Sequence, residues 1–343
     1  MCAQTNHALS VNPSREVAIV LRNWRSKADT ELVSDIARRS YRADGIDVDL
    51  SPERLGNMFT HMAGMDPRKD VLIAEIEGVP AGYLTIFWRD EQGGPRVYRL
   101  DPIVTPEFRD DDVLQALYRA GVQRVGEISA AHPADREQVL ALHAADTETE
   151  LLKLAELEGF EPVRYFYRMV RPDLNDVPLA PMPEGLEVRP VDKSQFRAIF
   201  QAHLEAFRDH WGVREPAEED FDLWVNDPDS QPHLWQVAWD GDQVAGMVLN
   251  FIDKEENRRY GRLRGYTEDI SVRRPWRRRG LATALIAESL RHLREVGMEQ
   301  AALGVDADNP NGALRLYTSL GYQVDWASKA LRKPFRPGRE TGA

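Results

Sequence analysis

The chain repeats itself, and this limits its fold more than any other feature. Ile73-Ala74-Glu75-Ile76-Glu77-Gly78, followed by Ala81-Gly82, is answered by Val237-Ala238-Trp239-Asp240-Gly241, followed by Ala245-Gly246. Each reads as a strand, a tight turn at glycine and a second strand, which is a β-hairpin pattern. Tyr98-Arg99-Leu100-Asp101-Pro102-Ile103-Val104 is answered by Tyr266-Thr267-Glu268-Asp269-Ile270-Ser271-Val272, each followed by a proline-containing turn and a helical pattern. Leu157-Glu158-Gly159-Phe160 and Ser319-Leu320-Gly321-Tyr322 lie near the two ends. Like landmarks in like order predict one fold used twice, and 343 residues suit two domains better than one core. Pro172, Pro178, Pro181 and Pro183 crowd the join. Proline at this density stops helices and central strands, so 172–185 reads as an extended linker between domains at 15–171 and 186–335. Residues 1–14 and 336–343 read as flexible ends.

Charge and cysteine content narrow the function. A net charge of −12 predicts repulsion of nucleic-acid phosphate over most of the surface, so no nucleic-acid partner is expected. No apolar run reaches the ~20 residues that span a bilayer, and the first residues have neither a basic start nor an apolar stretch. No membrane partner is expected either. Cys2 is the only cysteine, which excludes a disulfide framework and a cysteine-based zinc site. With histidines scattered, no metal is expected. The cytoplasm is the simplest compartment. A monomer or a homodimer is expected, since two like halves can mimic a dimer within one chain.

In the second half, periodicity predicts a short strand at 186–190, a helix over 193–207 with Phe196, Ile199, Phe200, His203 and Leu204 on one face, and a short helix at 221–225. Strands follow at 234–239, 243–253 and 262–272, then a helix over 280–296, a strand at 300–305, a helix at 312–320 and a last strand at 322–331. This order implies a mixed sheet with helices packed on it.

Against the acidic background, Arg273, Arg274, Arg277, Arg278 and Arg279 fall within seven residues. They sit between the strand ending at Val272 and the helix beginning near Gly280. A helix start presents unpaired backbone N–H groups and the positive end of its dipole, a natural seat for phosphate. Gly280 lets the backbone approach an anion, Ala282 allows close packing, and arginines at the rim can pair with further phosphates.

Arg277-x-x-Gly280-x-Ala282 after this strand resembles the acyl-CoA pyrophosphate loop of the GNAT acetyltransferase superfamily. Val305-Asp306-Ala307-Asp308-Asn309-Pro310-Asn311-Gly312-Ala313-Leu314-Arg315-Leu316-Tyr317, then Leu320-Gly321-Tyr322, resembles the family segment in which Asn, Ala and Tyr lead to a Gly–aromatic pair. The resemblance is close over 234–326 and weaker over 186–233. It implies two tandem GNAT-like α/β domains, each a mixed, mostly antiparallel sheet flanked by helices. The implied activity is N-acetyl transfer from acetyl-CoA to a small-molecule amine, with the second domain catalytic. A non-catalytic acyl-CoA-binding or regulatory module is the alternative.

The resemblance also assigns roles. Ile270, Val272, Arg277, Arg278, Arg279, Gly280, Leu281, Ala282, Asn309, Ala313 and Tyr317 are the expected cofactor contacts. The Val272 amide would polarise the thioester carbonyl. Tyr317, by position on its helix, is either core or, as the resemblance implies, the acid that protonates the departing thiolate. Asn309 is either a cap or a cofactor contact. Two-residue alternation puts Glu268 on the side of Ile270 and Val272, with Asp269 opposite. Glu268 would serve as base, bind the substrate's charge or face solvent. The loop Phe207-Arg208-Asp209-His210-Trp211-Gly212 lies where the family shapes its acceptor pocket, which makes His210 and Trp211 candidate substrate contacts. His210 also reads as a structural side chain.

In the first half, Asp110, Asp111 and Asp112 stand where Arg278, Arg279 and Gly280 stand in the second. They put the protein's own negative charge at the helix start. Ala155 replaces Tyr317. This half is expected to lack a CoA site, the carboxylates reading otherwise as an N-capping run.

Overall fold

The computed structural model describes residues 18–48, 50–110, 112–214, 216–309 and 312–336. Both expected flexible ends lie outside the described residues, apart from Arg336. The first half runs β1 (Ile19–Asn23), α1 (Lys27–Ala43), α2 (Pro52–His61), α3 (Pro67–Asp70), β2 (Val71–Ile76), β3 (Val79–Asp90), β4 (Arg96–Val104), α4 (Val113–Ala130), β5 (Gln138–Ala145), α5 (Thr149–Leu157) and β6 (Glu161–Arg171). The second runs β7 (Glu187–Val188), α6 (Phe196–Phe207), α7 (Glu218–Val225), β8 (Gln236–Asp240), β9 (Gln243–Phe251), α8 (Lys254–Tyr260), β10 (Arg264–Val272), α9 (Leu281–Glu295), β11 (Gln300–Asp306), α10 (Ala313–Ser319) and β12 (Gln323–Pro334).

The repeat is real down to its irregularities. Both predicted hairpins form, and both carry a β-bulge at the same step, between Ala74 and Glu75 and between Ala238 and Trp239. The parallel pairs β4–β5 and β10–β11 start in equivalent register, Arg96 on Gln138 and Arg264 on Gln300.

The two halves share one sheet, in the order β1-β2-β3-β4-β5-β12-β6-β11-β10-β9-β8-β7. It is mixed and mostly antiparallel. Each half hands its last strand to the other: β12 lies beside β5, and β6 lies beside β11. The two exchanged strands also pair with each other, from Gln323 on Val170 to Arg332 on Glu161. The cores are exchanged too. Leu331 and Phe335 are buried in the core of the first half, whereas Met169 and Leu174 are buried in that of the second.

The segment 172–185 has neither helix nor strand, as its prolines predict, but it is tied down. The Arg171 guanidinium donates to the carbonyls of Asp173 and Asp176, at 2.9 and 2.8 Å, and to that of Leu320.

Two local expectations change. The strand from Gln243 ends at Phe251, and helix α8 follows. Asp253 caps it by accepting from the Glu256 amide at 2.8 Å, and left-handed Gly261 ends it. Asp112 stands at the N-cap of α4 but makes no side-chain cap bond. Among the described residues no helix is long and apolar enough to cross a membrane.

Candidate active site

β10 and β11 pair only from Arg264 to Tyr266, then part. The crevice between them opens into a cavity of about 780 Å³, bounded by β10, β11, the start of α9, α10, the end of α6 and the exchanged strands β6 and β12. The equivalent place in the first half, between Val104, Arg109 and Leu151, holds only about 30 Å³.

The floor of the cavity is set by a bulge that alternation could not predict. The register of β10 on β9 shifts between Glu268 and Ser271, and Asp269 takes a left-handed φ of 50°. Strand β4 runs against β3 without such a shift, so the first half lacks this feature. Glu268 lies opposite Leu249 and Ser271 opposite Met247, and both partners belong to the core under α6. Cross-strand partners share a face. Glu268 is therefore on the face of Ser271, while Ile270 and Val272 pack into the core under α9. The extra residue reverses the expected relation. The backbone amide of Arg273 donates to the Ala245 carbonyl at 3.0 Å. The antiparallel alternation then turns the Val272 amide away from β9 and into the crevice.

Where the sequence predicts an anion seat, the structure has a run of backbone donors. The amides of Arg278, Arg279, Gly280, Leu281, Ala282 and Thr283 have no acceptor among the described residues. Two left-handed residues, Arg278 at φ 62° and Gly280 at φ 84°, fold these amides into a concave turn. A Cβ on Gly280 would meet nothing within 4 Å. The glycine is needed for its φ and for an open approach, not to avoid a clash.

The arginines divide by partner. Arg273 donates to Glu205 at 2.8 Å and Arg274 binds Asp209. Arg277 donates to the carbonyls of Val272 and Ala206 at 2.9 and 3.0 Å, and reaches Asp209 at 3.4 Å. Arg109, its counterpart, makes the same staple onto Asp44 and Ser40 in the half without a cavity. The Arg277 side chain thus anchors the loop to α6. Arg278 lines the cavity and has no ion pair among the described residues. Arg279 does not line it and donates to the Glu184 carbonyl at 3.4 Å.

Glu268 accepts from Arg168 at 3.1 Å and from the Gly304 amide at 3.2 Å. Burial raises its pKa above the ordinary carboxylate value; Arg168 and the Gly304 amide oppose the rise and Asp269 adds to it. Tyr317 lines the same cavity with its edge toward Tyr322, ring centroids 6.2 Å apart. Burial raises its phenol pKa, with the Glu268 charge adding to the effect, so it keeps its proton at neutral pH. Ile270, Val272, Leu281, Ala282, Asn309, Ala313 and His210 also line the cavity. Burial lowers the His210 pKa and favours its neutral form. Trp211 does not line it; its ring sits 6.2 Å from Phe166, with Arg332 stacked over it at 4.3 Å.

The sequence reading missed the opposite wall: His143 on β5, Phe166, Tyr167 and Arg168 on β6, and Trp326 and Ser328 on β12. The His143 Nε2 atom lies 2.9 Å from the Ser328 hydroxyl, and burial pushes its pKa down to about 4, so it is neutral at neutral pH. No local motif marks these residues. They reach the cavity only because the last strands change places.

Residues 196–322 match the acetyltransferase (GNAT) family model. The mycothiol acetyltransferase of Geodermatophilus obscurus is 25% identical over 257 residues, covering 74% of this chain and 79% of the relative. A GCN5-related N-acetyltransferase from Sphaerobacter thermophilus superposes with a TM-score of 0.69 at 26% identity, covering 93% of this chain and 96% of the other. A tandem GNAT protein from the clavulanic acid biosynthesis pathway has the same fold, with a TM-score of 0.64 at 14% identity over 92% of this chain and 98% of the other.

Proposed function

We propose that the chain, whose residues 196–322 match the GNAT family model, is an acetyltransferase of that family and moves acetyl from acetyl-CoA to a primary amine of a small molecule in the crevice of its second half. One observation carries this reading. Five residues whose amides lack an acceptor among the described residues, Arg278 and Gly280 to Thr283, line the same cavity as a carboxylate, Glu268, and a protonated phenol, Tyr317.

The diphosphate of the donor would rest on the amides of 278–283, and the Val272 amide would hold the thioester oxygen. An amine is mostly protonated at neutral pH and must lose a proton before it attacks. Glu268 takes that proton, directly or through water. Nitrogen then bonds to the carbonyl carbon, the C–S bond breaks, Tyr317 gives its proton to the departing thiolate, and the extra proton on the new amide nitrogen returns through water to the Tyr317 phenolate. The similarity to mycothiol acetyltransferases supports a small-molecule acceptor.

The test is CoA release from acetyl-CoA over a panel of primary amines: spermidine, glucosamine, tyramine, cysteamine and alaninamide. Tyr317→Phe and Glu268→Gln are each expected to lower kcat by about 10²–10⁴. The rate should rise with pH as Glu268 loses its proton. Because its pKa is raised, that limb lies above the ordinary carboxylate range, and Glu268→Gln should abolish it. Uptake of acetyl-CoA without release from any amine would sink the transfer reading and leave a binding module.

A further inference from the structure

Glu268 is oriented by a side chain from the other half of the chain. Arg168 stands on β6, the strand the first half lends to the second, and its Nη1 lies 3.1 Å from Glu268 Oε1. The guanidinium is itself held. It stacks over Tyr266 at 5.3 Å and over Trp326, on the other exchanged strand, at 5.8 Å. Trp326 Nε1 donates to Asp47 at 3.2 Å, and Asp47 binds Arg262 and Arg264. Tyr266 donates to Glu256, which binds Arg262. A cation seated between two rings, each ring fixed by a carboxylate, has little freedom to leave Glu268.

We propose that Arg168 is the positioning residue for Glu268, holding its carboxylate against the Gly304 amide and aimed into the crevice. The inference rests on Glu268 being the base. The groups that face Glu268 leave Arg168 as its one close cation among the described residues. From β10 comes Asp269, which lies 4.0 Å from the His203 ring on α6. From α10 and the turn before β12 come the neutral phenols of Tyr317 and Tyr322. From β11 comes Asp306, already paired with Arg164 at 2.8 Å. Without Arg168, burial and Asp269 act on Glu268 unopposed by any charge. The carboxyl then keeps its proton to higher pH and fails as a base at neutral pH.

The experiment reads Glu268 directly in the full-length protein, without an acceptor. Its carboxyl infrared band is identified as the one missing in Glu268→Gln, and its pH midpoint is followed in wild type, Arg168→Met and Arg168→Lys, each checked for an intact thermal transition. The midpoint is expected to rise by roughly one to three pH units in Arg168→Met and to stay near wild type in Arg168→Lys, which keeps the charge. The acid limb of CoA release from the fastest amine of the panel should move with it, while the KM for acetyl-CoA holds. A folded Arg168→Met protein with an unmoved midpoint overturns the proposal. Full activity in Glu268→Gln would instead overturn the base assignment, so the two failures are distinguishable.

Discussion

Gly280→Asp is expected to weaken acetyl-CoA binding by at least about a hundredfold while Gly280→Asn weakens it by less than about tenfold. Gly280 has φ 84°, in the left-handed region. Of the residues with a Cβ, Asn and Asp tolerate that region best, so neither change should break the turn. A Cβ there points into open space, so neither clashes. The two side chains are nearly the same shape and differ in charge. An aspartate would set a carboxylate among the amides of 278–283, where the reading puts a diphosphate. At about 4 Å and an effective dielectric near 20, one pair of like charges costs roughly 4 kcal/mol. That is ample for two decades of affinity. Calorimetry with acetyl-CoA measures both variants. Equal affinity in the two would remove the diphosphate from this turn, and with it the donor assignment.

What the sequence could tell followed from how local each feature is. The turn at Gly280 was legible because its causes sit within a few residues: a strand end, a helix start, a glycine with φ 84° and a small Ala282. Both hairpins were legible for the same reason. The bulge at Asp269 was not, because an extra residue in a strand leaves no mark in composition and shows only in the register against β9. Its consequence was a wrong facing for Glu268. Helix α8 is hidden in the sequence although Asp253 and Gly261 punctuate it, since the apolar run before it reads as a longer strand. Arg277, an expected cofactor contact, lines the cavity, and its guanidinium also anchors the loop to α6 as that of Arg109 anchors its loop to α1 in the first half. His143, Arg168 and Trp326 were beyond local reading altogether. Their place in the site depends on which strand lies beside which, and strand order among like repeats is a property of the whole chain.

That strand order has a consequence for stability. A chain ending at Tyr322, which loses only residues at the end of the second half, is expected to unfold the first half. β12 pairs with β5 from Ser328 on Ala145 to Pro334 on Val139, and with β6 along its other edge. Leu331 on β12 and Phe335 just beyond it, 4% and 5% exposed, fill the core formed by α4, α5 and the sheet of the first half. Removing them opens that core and leaves β5 and β6 with bare edges at the centre of the sheet. Leu331→Ala alone should cost about 2–5 kcal/mol by urea unfolding. Hydrogen exchange locates the damage. In the Leu331→Ala protein, the amides of β4, β5 and α5 should lose protection first, far along the chain from the mutation and across the repeat boundary. If those amides stay protected in the chain cut at Tyr322, the first half closes its own sheet, and the exchange of strands does not hold the two halves together.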